Sequence, residues 1–305
     1  GEYLSYNLDT GNIFVRKYFH LSFQNQNHIN NQDSILDTLE NLLHLSVKQQ
    51  INADVPVGIL LSGGIDSSLI TAIASNYKNK VNTFTFLNDK NDEDFEFKNS
   101  RKISKFFSTN HHEIFYPEVN SSIIYELSNF IDEPIFDSSI IPTFLISKEI
   151  KKYCTVALGG DGGDELFGGY NHYSRLLMIK KINNLLPDII KKNLSFLTNF
   201  SFPIGFRGRN WLNLLGKNLK KDYLDFVTYF DENINYKILN KKIFNIKKKY
   251  NYLLRDDFVS NDVILKASLQ DFNNFLPGDI LAKNDRFSMA NSVELRSPLL
   301  NSEII

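Results

Sequence analysis

The polarity of the chain switches repeatedly between two periods. Residues 57 to 61, Val-Gly-Ile-Leu-Leu, form a short apolar run, as expected of a strand covered on both faces. Ser62-Gly63-Gly64-Ile65-Asp66-Ser67-Ser68 interrupts it, and a second apolar stretch to residue 75 reads as a helix. The alternation continues with a strand over Val81 to Leu87, a helix over Phe95 to Phe107, a strand over His111 to Phe115, a helix over Ser121 to Phe130 and a brief strand over Val156 to Leu158. Upstream, apolar residues at 35, 36, 39, 42, 43 and 47 mark one face of a helix over Ile35 to Ile51. This order predicts an α/β fold, a doubly wound, mainly parallel sheet with flanking helices, which binds ligands at the C-terminal edge of its strands.

The flanks read differently. Residues 1–21 alternate about Asp9-Thr10-Gly11-Asn12 and predict a β-hairpin, an element too small to stand alone. Residues 22–33 are polar and rich in Asn and Gln, a linker, which leaves 34–305 as the main domain. The final Ser302-Glu303-Ile304-Ile305 looks like the start of a helix, so both ends read as cut from a longer chain. Between Arg175 and Asp262, aromatic and lysine-rich segments broken by Pro187 and Pro203 predict helices packed around the sheet.

Composition narrows the function classes. Of 305 residues 42% are hydrophobic and 23% charged, ordinary for a globular protein, and the formal charge of -1 gives no electrostatic case for nucleic acid as the main partner. The basic stretch Lys237 to Arg255 is interleaved with Ile238, Leu239, Ile243, Phe244 and Ile246, which favours a helix with a solvated basic face. A non-catalytic nucleotide or nucleic-acid binder is the contrasting reading and predicts salt-sensitive binding. No apolar run reaches the ~20 residues of a membrane span, no secretory leader opens the chain, and the single Cys154 excludes an intrachain disulfide. The expected compartment is the cytoplasm.

The chemistry concentrates in glycine-rich segments. In the first, Gly63 and Gly64 let backbone N–H groups approach an anion, while Ser67 and Ser68 sit where a helix leaves its first N–H groups unpaired. A polyphosphate suits that volume. Asp66 would repel phosphate unless a cation lies between, which makes it a candidate Mg2+ ligand. The bland alternative is an ordinary strand-turn-helix corner. A Walker A loop is excluded, because no Lys follows the last Gly. The segment resembles instead the SGGxDS signature of the PP-loop ATP pyrophosphatases, and that resemblance implies ATP binding over Leu61 to Ser68 with pyrophosphate as a product. Phe86, near the end of the second strand, is expected beside the nucleotide at the C-terminal edge of the sheet, with a packed core Phe as the alternative.

Residues 158–170, Leu-Gly-Gly-Asp-Gly-Gly-Asp-Glu-Leu-Phe-Gly-Gly-Tyr, place three carboxylates, Asp161, Asp164 and Glu165, among six glycines. They resemble the GDGGDELFGGY motif of the synthetase domain of glutamine-hydrolysing asparagine synthases. Asp132-Glu133-Pro134 with Asp137-Ser138-Ser139 resembles the same family's DEPxxDxS segment, and residues 275–300 resemble its DDxLxKxDRxSMxxSxExRxPFLD segment. The resemblance spans roughly residues 33 to 301, with departures at Gly159, Phe95, Leu299 and Asn301.

That family implies activation of the aspartate side chain by Mg-ATP, followed by attack of ammonia drawn from glutamine or taken up free. On the chemistry of those two steps, Ser62, Gly63, Gly64, Ser67 and Ser68 are expected to bind pyrophosphate, Gly159 and Gly160 to contact the nucleotide, and Asp66 and Asp164 are the Mg2+ candidates. Lys283 and Arg286 are expected to stabilise the leaving group, a solvated surface lysine being the alternative for Lys283, and Asp161 is the candidate to take a proton from the attacking ammonium, with a loop carboxylate capping backbone amides as its alternative. Asp285 is expected to orient a cation, and Glu294 with Arg296 to form an internal ion pair. Residues 1–21 resemble the last strands of the family's N-terminal glutaminase domain, whose nucleophile is a terminal cysteine; residue 1 here is Gly. A homodimer is a candidate assembly. A ligase of the same fold acting on another carboxylate stays open, because the lining of the substrate pocket is not legible from sequence.

Overall fold

The computed structural model describes residues 1–18, 31–87, 95–115, 119–133, 135, 137–187 and 262–305, with scattered positions between 190 and 238. The chain divides into two compact units, Gly1–Thr38 and Leu39–Ile305.

The first unit contains the predicted hairpin. Strands β1 (Glu2–Tyr6) and β2 (Ile13–Lys17) pair antiparallel with Glu2 opposite Lys17. Asn7 closes the turn, its side-chain oxygen accepting from the N–H groups of Asp9 at 3.0 Å and Thr10 at 2.8 Å. Helix α1 (Gln32–Ile51) begins three residues before its apolar face at Ile35, because the side chain of Asn31 accepts from Asp33 N–H at 3.0 Å. Gln32 and Asp33, read as linker from composition, are therefore helical.

In the second unit, β3 (Val57–Leu60), β4 (Asn82–Leu87), β5 (Asn110–Phe115), β6 (Val156–Leu158) and β7 (Glu294–Arg296) form one sheet in the order β5-β4-β3-β6-β7. Every neighbouring pair is parallel. The order reverses between β3 and β6, the switch point where such sheets open a crevice at the C-terminal ends of their strands.

Alternating side chains feed two cores. Val57 and Ile59 of β3 with Val156 and Leu158 of β6 meet Leu43, Val47 and Ile51 of α1 and Ile70 and Ile73 of α2 (Ile65–Ser75). On the opposite face, Phe84 and Ala157 meet Ile150 of α5 (Ile140–Ile150) and Val293. The sheet is thus covered on both sides, which is why its central strands β3 and β6 read as unbroken apolar runs. Helices α3 (Phe95–Phe106) and α4 (Ser121–Ser128) follow the predicted order, and α6 (Gly163–Phe167) and α7 (Asn171–Leu185) continue from the second glycine-rich segment. Most of the Arg175 to Asp262 stretch, and all of Lys237 to Arg255 except Ile238, lie outside the described residues.

After α8 (Val263–Gln270), the helix widens into a π-helical stretch over Asp271–Ile280 before returning to α geometry in α9 (Leu281–Met289). Pro277 lies inside it and cannot donate to the ladder, and the side-chain amides of Asn273 and Asn274 bond the Leu269 and Gln270 carbonyls at 2.8 Å each. At its head, buried Asp271 accepts hydrogen bonds from Tyr173 at 2.8 Å and Tyr223 at 2.5 Å. Residues 302–304 form a turn, correcting the reading of a helix start there.

Candidate active site

Strand β3 ends at Leu60, and Leu61 N–H donates to the Phe84 carbonyl at 2.8 Å, so the glycine loop leaves the sheet at the level where β4 approaches its end. Gly64 caps α2 in an extended conformation with no side-chain partner, leaving the first-turn amides to solvent or a ligand. The hydroxyls of Ser62 and Ser67 lie 3.0 Å apart, and Ser62 also accepts from Gly64 N–H at 3.2 Å. Ser68 turns inward, donating to the Gly64 carbonyl.

Gly63 has φ +90°, and a Cβ there would overlap the Glu96 carbonyl oxygen at the start of α3. Gly63→Ala combines left-handed backbone strain with overpacking against a backbone atom that cannot swing aside. It is expected to lower unfolding free energy by about 3 kcal/mol, read as a reduced urea midpoint at unchanged slope; a midpoint equal to wild type would show that α3 yields.

The second glycine segment starts where β6 ends. Gly159 N–H donates to the Arg296 carbonyl of β7 at 2.8 Å, and Gly160 packs so closely on the first loop that a Cβ would lie 3.0 Å from that of Asp66. The two loops therefore share one cavity of about 500 Å³. Leu61, Ser62, Gly64, Asp66 and Ser67 line it from the first loop, Thr85 and Phe86 from the end of β4, and Gly159, Gly160, Asp161, Asp164 and Glu165 from the second. That volume falls within the range of small-molecule sites.

Its charges are acidic and constrained. Burial, then the neighbouring Asp164 charge, push the Asp66 carboxyl above the ordinary Asp range. Asp164 is raised by burial, with His172 opposing. Burial raises Asp161 against hydrogen bonds from Ser297 at 3.3 Å and Asn284 at 3.0 Å and the nearby charge of Lys283. Glu165 is buried and accepts from the Tyr170 hydroxyl at 2.6 Å; burial raises its carboxyl too.

Of the residues read from sequence as catalytic, nucleotide-binding or metal-binding, four stand apart from the cavity lining, Gly63, Ser68, Lys283 and Arg286, as does Asp285. Gly63 is packed against the start of α3, and Ser68 is committed to the Gly64 carbonyl of its own loop. The Lys283 ammonium lies 2.7 Å from both Asp137 and Ser139, with its charge still felt by Asp161. Arg286 bonds Asp132 at 2.8 Å and Glu133 at 3.4 Å. The expected pair of Glu294 and Arg296 forms at 2.7 Å, and Arg296 also donates to the Gln50 carbonyl at 2.7 Å, tying β7 to the end of α1. Asn284 and Ser297, which hold Asp161, were not anticipated; amide and hydroxyl side chains carry no spacing signal of their own.

The asparagine synthase family model matches residues 38–305. Asparagine synthetase (glutamine-hydrolyzing) 1 of Bacillus subtilis (strain 168) is 31% identical over 304 residues, covering 96% of this chain and 46% of that protein. A putative asparagine synthetase (glutamine-hydrolyzing) 2 of Methanocaldococcus jannaschii is 30% identical over 291 residues, covering 90% of this chain and 53% of that protein. Among solved structures, the NH3-dependent NAD synthetase from Campylobacter jejuni covers 80% of this chain and 96% of its own at 13% identity and a TM-score of 0.35. The chain thus spans about half the length of the curated relatives it matches. With the family model matched from α1 through β7 to residue 305, the chain belongs to the asparagine synthase family.

Proposed function

We propose that this chain carries the synthetase reaction of asparagine formation. Aspartate's side-chain carboxylate attacks the α phosphorus of ATP, giving β-aspartyl-AMP and pyrophosphate; ammonia then attacks the activated carbonyl, giving asparagine and AMP. The observation that carries the proposal is the meeting of the two glycine loops in one cavity, which sets a phosphate-sized pocket of amides and hydroxyls beside Asp66, Asp161 and Asp164.

In this reading Ser62, Gly64, Ser67 and the first-turn amides of α2 take the β and γ phosphates. Phe86, Leu61, Gly159 and Gly160 border the nucleoside. Asp66 and Asp164 would hold Mg2+: both line the cavity and lie close enough for the Asp164 charge to raise the Asp66 carboxyl, and Mg2+ commonly uses one or two carboxylates plus substrate phosphates and water. When bound, the ion supplies charge neutralisation on the phosphates. Lys283 meets charge developing on the leaving group, Arg286 braces the 132–133 segment and reaches the phosphates only by exchanging those partners, and Asp161 accepts a proton from the incoming ammonium.

The relatives' names as glutamine-hydrolysing enzymes support glutamine as the nitrogen source of a longer protein, with residues 1–21 ending a glutaminase domain and 34–305 forming the synthetase; free ammonia serves otherwise. No helix among the described residues is long and apolar enough to cross a membrane.

Purified protein given Mg-ATP, aspartate and ammonium chloride is expected to form pyrophosphate and asparagine together, each dependent on aspartate. Pyrophosphate supported by another carboxylic acid but not by aspartate would move the reading to a sister ligase. ATP binding with neither product from a folded sample would end the catalytic reading.

A further inference from the structure

Lys283 sits in an arrangement that the glycine loops do not explain. Its Nζ donates to Asp137 Oδ2 and to Ser139 Oγ, both at 2.7 Å, and Ser139 Oγ donates to the same Asp137 oxygen at 2.7 Å. Asp137 is fixed in turn, since its other oxygen accepts from Ser139 N–H at 2.8 Å where α5 begins. The three side chains close a ring, and the Lys283 side chain is only 12% exposed.

The ring is mounted on rigid elements. Helix α5 packs against α9, and Phe144 and Leu145 of one meet buried Phe287 of the other. The residue after Lys283 on α9, Asn284, donates to Asp161 in the cavity at 3.0 Å. One turn of α9 therefore reaches both the ring and the cavity. An ammonium has three donors, and the ring uses two, leaving one for a phosphate oxygen. A free lysine loses rotamer freedom when it is held; here that cost is met on folding, before any nucleotide binds.

We infer that Asp137, with Ser139, is a positioning residue for the adenylation step, holding the Lys283 ammonium where charge develops as pyrophosphate leaves. The inference rests on the reading of Lys283 given above. Positioning of a cation before the reaction is worth rate, since a misplacement near 1 Å costs on the order of 100-fold. A merely structural ion pair would instead lower stability and leave the rate per folded molecule alone.

The test is a double-mutant cycle on aspartate-dependent pyrophosphate release, with kcat and KM for ATP measured separately on folded protein. Asp137→Ala is expected to lower kcat roughly 10- to 100-fold with little change in KM, and Asp137→Asn, which keeps an acceptor for Lys283, to recover part of the loss. Combined with Lys283→Met, Asp137→Ala adds nothing further, because it acts through that ammonium. Should Asp137→Ala not fold, Ser139→Ala serves in its place, with a loss of a few-fold that also vanishes beside Lys283→Met. Lys283→Met slow with Asp137→Ala at the wild-type rate, or losses that multiply in the double variant, would overturn the inference alone. Lys283→Met at the wild-type rate would overturn the reading of Lys283, and the inference with it.

Discussion

Asp161→Asn is expected to release pyrophosphate at close to the wild-type rate while forming asparagine roughly 100- to 10,000-fold more slowly, the usual worth of a positioned general base. Ammonium at neutral pH has no lone pair until it loses a proton, and Asp161 is the cavity carboxylate whose surroundings suit it to accept one. Burial raises its affinity for a proton, while Ser297, Lys283 and Asn284 hold that rise in check. The exchange is nearly isosteric: Asn284 keeps an oxygen to donate to, and the Ser297 hydroxyl can accept from the new amide instead of donating. The same shift gives the pH dependence a sign. Amide formation in the wild type should fall on acidification from a pH above the ordinary Asp value of 3.8, and this limb should be absent in the variant. Parallel loss of both half-reactions would remove the role from Asp161.

Asp66→Asn should act one step earlier, cutting pyrophosphate release itself by roughly 100- to 1,000-fold and weakening the Mg2+ dependence. Its carboxyl is raised by burial and by Asp164, so without a cation the ionised form is unfavourable. The unfolded chain releases that proton first. Stability of the metal-free protein therefore falls as pH rises from 3.8 through the raised folded value. Above that window the substitution removes an uncompensated charge, so metal-free Asp66→Asn is expected to melt at or above the wild-type temperature at pH 7. Only the wild type should gain strongly on adding Mg-ATP. A variant that melts lower without metal and gains as much from Mg-ATP would show that Asp66 serves the fold and not the ion.

Much of this architecture was legible in the chain, for identifiable reasons. Strands β3 and β6 announced themselves because burial on both faces leaves no polar position in their runs, β4 because its threonines are β-branched and alternate with phenylalanines, and the loop after β3 because two glycines, three serines and an aspartate fall between such a run and a helix. β7 escaped notice: Glu-Leu-Arg is too short and too polar for a period to emerge, and its partner β6 is remote in sequence. The π-helical stretch is likewise invisible to a 3.6-residue period, since its widening depends on Pro277 and on side-chain amides taking backbone carbonyls. Within the site, the motifs located the carboxylates and cations, but their mutual arrangement came only from the fold. That Lys283 closes a ring with Asp137 and Ser139, while Arg286 is drawn to Asp132 and Glu133, depends on how α9 crosses the start of α5.

The dependence of Gly159 on the Arg296 carbonyl has a consequence for how the molecule is made. A ribosome delivers β3, β4, β5 and β6 long before it delivers β7, yet the Gly159 end of the second loop is fastened only when that late strand docks along β6. Until then β6 is an open edge of branched and small residues, able to pair with any passing strand. Nascent chains are thus most vulnerable to clumping across the interval between residues 158 and 294, and slow translation or chaperone shortage there should cost soluble yield while leaving the activity of each finished molecule intact.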